Sequence, residues 1–412
     1  MSDADGPAAL SGLTVVDFTT MIAGPYCSRL FADLGADVIK VEEPGRGDEA
    51  RYFGVSTESS KGALGVSPSF VALNRNKRSI AIDLASAAGR DVVRRMARDC
   101  DVVVHNFRPG AMRRWGLGYD DLRALNTRLI FCEFYAYGKV GPLSHVGAND
   151  LALQAHSGLM SITGEPDRPP VRCGSSIVDL HASVALVTAI LAALFHRERT
   201  GEGQVVETSL LRSSAHLMNY FYGEYWSQGV IRKPMGTANH LSVPNQVFPA
   251  ADGSVVIIAP SDEMWERCAL ALDAEQLHRP EYKSMLQRQQ QRTKLVDTIS
   301  AITRTKTSAE LVDSLAAARV NVAKLNSIGE AADHSQLASI GAVVEFDMDG
   351  ERVKAVASPF ALEGTPATVD RPPPGLGAHT DEILAELGVA KSEVAAWRAQ
   401  GAFGATAAMA NV

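Results

Sequence analysis

The sequence predicts an α/β protein built around a mostly parallel β-sheet, and three observations support this prediction. Over the first 140 residues, short runs of β-branched residues alternate with segments of helical periodicity. The composition, 46% hydrophobic and 21% charged, is that of an ordinary globular protein. The length of 412 residues is enough for two to three domains. Strands that alternate with helices pair in parallel, and helices cover both faces of the sheet.

The elements follow one another as strand–helix–strand units. The predicted strands span residues 13–18, 37–41, 79–83, 101–105, 129–134 and 204–208. The predicted helices span residues 25–34, 87–99, 120–125 and 180–197. A hairpin at 247–258 begins a new unit. We therefore predict a large Rossmann-like parallel-sheet domain (residues 1–224), a smaller α+β domain (225–330), and a segment (331–412) that returns to the large domain.

Charge and cysteine usage exclude several classes of protein. Forty Lys and Arg residues against 47 Asp and Glu give a net charge of −7, so no general attraction to nucleic acid or anionic membranes is expected. The five cysteines and the histidines lack the spacing of a metal site. The N-terminus does not resemble a signal peptide, and the longest apolar run, 182–195, suits a buried helix better than a membrane span. We expect a cytoplasmic protein without a metal.

In a parallel sheet the ligand crevice lies outside the carboxyl ends of the strands. The segments that leave those ends are 19–25, 42–47, 106–110 and 135–139, and three of them contain both Gly and Pro. The sequence has no GxGxxG after a strand, no GxxxxGK[ST] and no GxSxG. These absences argue against an ordinary dinucleotide-binding protein, a P-loop NTPase and a serine hydrolase.

Asp179 is the strongest candidate for a catalytic carboxylate. It lies where a Gly- and Ser-containing loop enters an apolar helix, so it could be either a nucleophile or the N-cap of that helix. The basic cluster at 74–78 could be ordinary solvated surface. Together with Arg108, Arg113 and Arg114 it could also hold a polyphosphate.

Seven segments resemble the class III CoA-transferases, the family that includes formyl-CoA transferase and carnitine CoA-transferase. The resemblance extends from about residue 10 to 390 and depends on the following segments: LSGLTVVDF (10–18), AGP (23–25), LGADVIKVE (34–42), NKRS (76–79), NFRPG (106–110), HRERTGEGQ (196–204) and GAHTDE (377–382). It implies that Asp179 attacks an acyl-CoA thioester and carries CoA as an aspartyl thioester.

The resemblance also implies a set of ligands and contacts. The substrates would be an acyl-CoA and small carboxylic acids, with the CoA thioester a substrate rather than a permanently bound cofactor. Contacts with CoA are implied at Ile22, Ala23, Lys77, Asn106, Phe107 and Arg114. Contacts with the reacting acids are expected at Tyr137, Asn149, Asp150 and His240. The assembly implied is an interlocked homodimer. Lys77, Arg78, Arg108 and Arg114 would together form a local basic pocket for the phosphates.

Two departures from known members narrow the chemistry. Ile22 replaces a glutamine and Glu43 an arginine of the formyl-CoA transferases, and residues 236–244 lack their glycine-rich loop, so formate is not the expected acid. The related α-methylacyl-CoA racemases use a His where this chain has Asn149, which cannot exchange a proton near neutral pH. Racemase or epimerase chemistry, and a structural subunit of a heteromeric CoA-transferase, remain the alternatives.

Overall fold

The computed structural model describes residues 7–53, 67–348 and 350–403. The chain divides into two compact units. Unit 1 comprises residues 1–157, 174–223 and 338–412, and unit 2 comprises residues 158–173 and 224–337. The sequence had placed residues 158–173 in the large domain. Residues 158–173 contact the rest of unit 2, where the Gly236 amide donates a hydrogen bond to the Gly164 carbonyl. No local pattern in the sequence predicts this contact.

The strands are numbered in chain order: β1 (Thr14–Asp17), β2 (Asp37–Glu42), β3 (Arg78–Ala81), β4 (Val102–His105), β5 (Ile130–Tyr135), β6 (Val205–Ser209), β7 (Asn245–Ala250), β8 (Gly253–Ile258), β9 (Asn321–Lys324), β10 (Val343–Met348) and β11 (Glu351–Val356). The helices are α1 (Ala23–Asp33), α2 (Pro68–Asn74), α3 (Ala87–Ala97), α4 (Ala111–Arg114), α5 (Tyr119–Arg123), α6 (Asp150–His156), α7 (Ile177–Thr200), α8 (Leu210–Leu217), α9 (Asn219–Gln228), α10 (Asp262–Leu272), α11 (Met285–Gln290), α12 (Arg292–Thr303), α13 (Ser308–Ala317), α14 (Ile328–Ala332), α15 (Ser335–Ser339), α16 (Thr380–Glu386) and α17 (Lys391–Ala399).

Unit 1 is built on a six-stranded sheet in which every pairing is parallel, which confirms the predicted fold class. The strand order is β3-β2-β1-β4-β5-β6, so the direction of winding reverses between β1 and β4. In open α/β sheets this switch point is where ligands bind. The loops that follow β1 and β4 therefore meet at the expected ligand crevice.

Two hydrophobic cores cover the faces of this sheet. Successive strand residues point to opposite faces, and accordingly Val102 and Val104 pack in one core while Val103 packs in the other. The first core contains residues of α1 and α7. The second contains residues of α3, α16 and α17, so the C-terminal segment packs on the large domain.

Helix α7 is the central helix of the first core. Val178, Ala182, Leu186 and Ile190 form its buried side. By length and composition α7 could also cross a membrane, with a mean hydropathy of 2.1 in its most apolar window. Core helices of globular proteins pass the same test, and 44% of that window is buried against the rest of the chain. One side of α7 is therefore buried, as expected from the sequence, while Val184, Leu191 and Phe195 of the same helix are exposed.

Unit 2 contains a three-stranded antiparallel sheet of order β7-β8-β9, beginning with the predicted hairpin. Its core contains side chains from α10, α12 and α13, among them Trp265, Ile299 and Leu311. Unit 2 therefore has an α+β fold.

Candidate active site

Asp179 lies in the first turn of α7, and this position differs from the sequence prediction. The helix begins at Ile177, three residues before the predicted start, so Asp179 is its third residue and not its N-cap. Ser176 occupies the N-cap position, and its side chain caps no amide. Among the residues that the structure describes, none forms a hydrogen bond with the Asp179 carboxylate. The capping alternative for Asp179 is therefore wrong.

Asp150 caps α7 from a distant part of the chain. Its Oδ2 accepts hydrogen bonds from the amides of Val178 (2.8 Å) and Asp179 (3.2 Å). The side chain is 5% exposed, and Gln154 donates to the other oxygen. Asp150, which the sequence analogy assigned to substrate contact, thus holds the start of the helix that carries Asp179.

Asn149 also caps a helix. Its side-chain oxygen accepts from the amide of Ala152 (3.2 Å) at the start of α6. This is an ordinary N-cap contact, and it occupies the acceptor of the side chain. The substrate contact expected at Asn149 stays a prediction, and the position offers no titratable group.

The surroundings of Asp179 disfavour its charged form. Burial raises the pKa of the Asp179 carboxyl, and the nearby Asp150 carboxylate raises it further, to about 7. Near neutral pH both the protonated and the ionised forms of this carboxyl are therefore populated, and the carboxylate is more basic than that of an ordinary aspartate. A carboxylate with a raised pKa is a stronger nucleophile, and perturbed pKa values cluster at functional sites.

Ser183 connects α7, the helix that carries Asp179, to the start of α1. Its hydroxyl lies 2.7 Å from the carbonyl oxygen of Ala23 and 2.8 Å from that of Asp179. Ser183 is 1% exposed and lies one turn after Asp179. The buried Ser183 hydroxyl thus bridges the first turn of α7 and the first turn of α1.

The predicted CoA-contact residues Ile22, Ala23 and Asn106 meet at the switch point of the sheet. Asn106 follows β4, and its side chain forms two hydrogen bonds with the backbone of Thr20. Its Oδ1 accepts from the Thr20 N–H (3.1 Å), and its Nδ2 donates to the Thr20 carbonyl (2.9 Å). After Met21, Ile22 is the N-cap of α1 and Ala23 is its first residue. The structure therefore brings these three residues together, whereas their contact with CoA stays a prediction.

A cavity of about 450 Å³ opens at the carboxyl ends of β1, β2 and β3. Its apolar walls are formed by Phe18, Val41, Ile82, Phe107 and Trp115. The rings of Phe107 and Trp115 pack edge to face with centroids 5.2 Å apart. Phe107, another predicted CoA-contact residue, thus lines a pocket with the aromatic and aliphatic walls that suit a planar ring.

Two of the four cations expected to form one basic pocket, Lys77 and Arg78, are buried and paired with carboxylates. Lys77 is fully buried, and its ammonium lies 3.1 Å from Asp17 Oδ2. Arg78 forms ion pairs with Asp37, Glu382 and Glu386. Their charges are used inside unit 1, because each has a carboxylate partner from a strand or helix that is distant in sequence. The prediction of one basic pocket formed by four cations is therefore wrong for Lys77 and Arg78.

Arg108 and Arg114 are the two cations of that set that are exposed. Arg114 Nη1 lies 3.6 Å from the position that a Cβ at Gly110 would occupy, so this side chain covers the turn at the start of α4. Arg108 Nη2 is 3.7 Å from the equivalent position at Gly147. These two guanidinium groups are available to an anion at the carboxyl edge of the sheet.

The other predicted contacts lie in separate units. Tyr137 is in unit 1, where its ring packs edge to face on His156 with centroids 5.2 Å apart. His240 is in unit 2, where burial and the charges of Arg232 and Arg292 lower its pKa. Their contact with substrate stays a prediction.

Sequence reasoning missed three buried residues at this site: Lys40, Asp48 and Ser183. Lys40 is fully buried and pairs with Asp48 at 2.8 Å. The only local signal was a lysine at an interior position of the apolar strand at 37–41. Asp48 and Ser183 resemble ordinary turn and helix residues in the sequence, so nothing nearby in the chain marked them.

Comparison with known proteins identifies the family of this chain. The profile of CoA-transferase family III matches residues 10–380. The succinate–glutarate CoA-transferase of Agrobacterium fabrum is 34% identical over 381 residues, which are 92% of this chain and 95% of that protein. The succinyl-CoA–D-citramalate CoA-transferase of Chloroflexus aurantiacus is 34% identical over 404 residues, which are 97% of this chain and 99% of that protein.

A solved structure gives the same result for the fold. A CAIB/BAIF family protein from Brucella suis superposes with a TM-score of 0.83 at 30% sequence identity, covering 93% of this chain and all of that one. The profile match and the identities over almost the whole length confirm the resemblance that the seven segments indicated. The chain belongs to CoA-transferase family III and is a class III CoA-transferase.

Proposed function

We propose that this enzyme moves CoA from succinyl-CoA to a small dicarboxylic acid and that Asp179 carries CoA between them. The observation that supports this most directly is the Asp179 carboxylate, which is held at a helix start, has no hydrogen-bond partner among the described residues, and has its pKa raised to about 7. The proposed donor and class of acceptor follow from the two relatives described above, a succinate–glutarate and a succinyl-CoA–D-citramalate CoA-transferase.

The proposed steps balance as follows. The Asp179 carboxylate attacks the thioester carbonyl, giving an aspartyl–succinyl anhydride and CoA thiolate. The thiolate attacks the aspartyl carbonyl, which releases succinate and leaves CoA on Asp179 as a thioester. The acceptor carboxylate displaces CoA to form a second anhydride, and the thiolate then attacks the acyl carbonyl of the acceptor. The new acyl-CoA leaves, and Asp179 regains its carboxylate with one oxygen from the acceptor.

The carboxyl edge of the unit 1 sheet offers complementary groups for CoA. We place the adenine ring in the cavity lined by Phe18, Phe107 and Trp115, because its walls are apolar and aromatic. We place the phosphates near Arg108 and Arg114, the exposed guanidinium groups at the same edge. The polar part of the cavity lining is mostly acidic, and its Arg46 pairs with Glu43 and Glu49. The cavity therefore suits a neutral ring better than a phosphate.

The intermediate can be tested by trapping on the purified enzyme. With succinyl-CoA and hydroxylamine, we expect a hydroxamate on the peptide that contains Asp179, and borohydride should reduce the same thioester. With acceptor labelled by ¹⁸O in its carboxylate, turnover should leave ¹⁸O in Asp179. Transfer that proceeds with an unmodified and unlabelled Asp179 would refute the covalent route.

The acceptor is tested in parallel with a panel of acids. Glutarate, methyl-branched and unsaturated dicarboxylates, monocarboxylates and formate are each offered with succinyl-CoA, and the acyl-CoA products are read by mass spectrometry. We expect dicarboxylates to exceed matched monocarboxylates by about tenfold or more in kcat/KM, since one charge-assisted hydrogen bond to the second carboxylate is worth that much. Equal rates for glutarate and butyrate would contradict the proposed class. Deuterium uptake at the α-carbon without an acceptor would instead indicate a racemase.

We also propose that two copies of the chain associate. Val184, Leu191 and Phe195 are exposed (44%, 36% and 68%) and follow one another along one side of α7. Exposing a row of apolar side chains to water is unfavourable in free energy, and contact with a second copy of the chain would bury them. Light scattering should therefore give about twice the chain mass of 44.0 kDa, and a stable monomer at micromolar concentration would contradict the proposal.

A further inference from the structure

A network of buried charges lies under the loop that joins β1 to α1. It consists of Asp17, Lys40, Asp48 and Lys77, and we call it the loop network. Each of the four side chains is at most 1% exposed. Lys77 pairs with Asp17 at 3.1 Å and Lys40 pairs with Asp48 at 2.8 Å. Burial alone would raise the pKa of Asp17, but Lys77 and Lys40 hold it at about 2.

The loop network binds the backbone of the loop directly. Asp17 Oδ1 accepts from the Thr19 amide (2.8 Å), and Lys40 Nζ donates to the Thr19 carbonyl (2.8 Å). Asp48 Oδ1 accepts from the Met21 amide (3.0 Å). Asn106 binds both the backbone N–H and the backbone C=O of Thr20. Every backbone N–H and C=O from the Thr19 amide to the Met21 amide therefore forms a hydrogen bond with a side chain.

The loop needs such anchors because its conformation is an unfavourable one. Met21 has a φ of +74°, in the left-handed region that residues with a Cβ rarely adopt. The loop also packs tightly on α1, since a Cβ at Gly24 would lie 2.3 Å from the Cβ of Thr19. A free loop of this sequence would relax away from that shape.

We infer that Lys40 and Asp48 are positioning residues for CoA binding: they hold the Thr19–Met21 backbone so that Ile22 and Ala23 begin α1 at the place where CoA contacts them. The inference rests on the proposed role of Ile22 and Ala23. A purely stabilising role explains the network poorly, because four buried charges are costly to desolvate and an apolar set of the same volume would stabilise the sheet as well. The contacts of Asp17, Lys40 and Asp48 with three of the five successive backbone groups instead explain why charges are kept here.

The experiment separates positioning from stability. Lys40→Met removes the donor to Thr19 and leaves Asp48 without its counter-ion. The double variant Lys40→Met/Asp48→Asn removes that unpaired charge and keeps an oxygen for the Met21 amide. Three quantities are measured for each: the melting temperature, the Kd for CoA by calorimetry, and kcat and KM for succinyl-CoA.

We expect Lys40→Met to weaken CoA binding by about tenfold or more and to raise KM more than it lowers kcat, because misplaced binding groups lose affinity. The double variant should regain most of the melting temperature and little of the affinity. Recovery of CoA affinity in step with stability would overturn the inference, since that is the result expected of a stabilising network.

Arg197→Met is the matched control. Arg197 is 3% exposed and pairs with Asp101 at 2.8 Å; Asp101 in turn accepts from Thr14 at the opposite end of β1. We expect this variant to lose stability without losing CoA affinity. An equal loss of affinity would also overturn the inference.

A second variant tests the loop with all charges intact. Gly24→Ala must push Thr19 away from α1, and the Kd for CoA should rise as it does in Lys40→Met. An unchanged Kd in a folded Gly24→Ala protein would contradict the inference even if Lys40→Met fails to fold. CoA binding is measured without turnover, so the binding test does not depend on the covalent mechanism. Failure to trap Asp179 would refute the proposed mechanism, and the effect of these variants on the Kd for CoA could still be interpreted.

Discussion

Asp179→Asn is expected to reduce kcat for CoA transfer by about 10³-fold or more, as the loss of a covalent nucleophile does in other enzymes. The amide keeps the size of the side chain but cannot form the anhydride. CoA binding should change little, since the proposed contacts with CoA lie in the loop after β1 and near α4. The measurement is transfer from succinyl-CoA to glutarate, with the Kd for CoA measured on the same preparation.

The same variant is expected to be more stable than the wild type above pH 7. The pKa of Asp179 is about 7 in the folded chain against 3.8 for a free side chain. The folded state therefore binds the proton more tightly, and this group lowers the free energy of unfolding as the pH rises from about 4 to 7. Removing it should raise the free energy of unfolding at pH 8 by about 0.5–2 kcal/mol and have little effect near pH 4.

Asn149→Ala provides the contrast, because Asn149 does cap a helix through the Ala152 amide. Loss of that cap should lower the free energy of unfolding by about 0.5–2 kcal/mol at both pH values. If Asp179→Asn also destabilised the protein at pH 8, the Asp179 carboxylate would have to make a stabilising contact in the folded protein. This result would contradict the prediction. Retained transfer in a folded Asp179→Asn protein would exclude Asp179 as the nucleophile.

The sheet could be predicted from the sequence because its signals are local. The strands of the parallel sheet are short apolar runs, β4 with Val102, Val103 and Val104 being an example, and each of these six strands overlaps a predicted one. Asp179 itself could be found because its loop and helix have a recognisable pattern. Chain order and parallel pairing then place the switch point, and with it Asn106 and the loop after β1.

The roles of charged and capping residues could not be predicted, because their partners are distant in the chain. Lys77 has the sequence signature of a surface cation, yet its partner is Asp17, 60 residues away. The start of α7 moves to Ile177 because Asp150, 28 residues before Val178, supplies the cap. Such pairings are set by tertiary packing, and a single sequence contains no local pattern for them.

Asp150 is expected to control both the placement and the protonation of Asp179. Asp150→Ala leaves the amides of Val178 and Asp179 without their acceptor in a buried place, which should lower the free energy of unfolding by about 1–3 kcal/mol. The first turn of α7 then loses its fixed position, and kcat should fall by about 10–100-fold because the nucleophile is displaced.

Asp150→Asn separates the charge from the hydrogen bonds. The amide oxygen can still accept from Val178, but the negative charge that raises the pKa of Asp179 is gone. The pKa of Asp179 should therefore fall below 7 while staying above 3.8, since burial is the larger cause and remains. The pH dependence of hydroxylamine trapping should show this directly: the wild-type rate rises with pH to a midpoint near 7, and the midpoint of Asp150→Asn lies at lower pH. Identical midpoints would show that Asp150 acts on Asp179 only through the helix start.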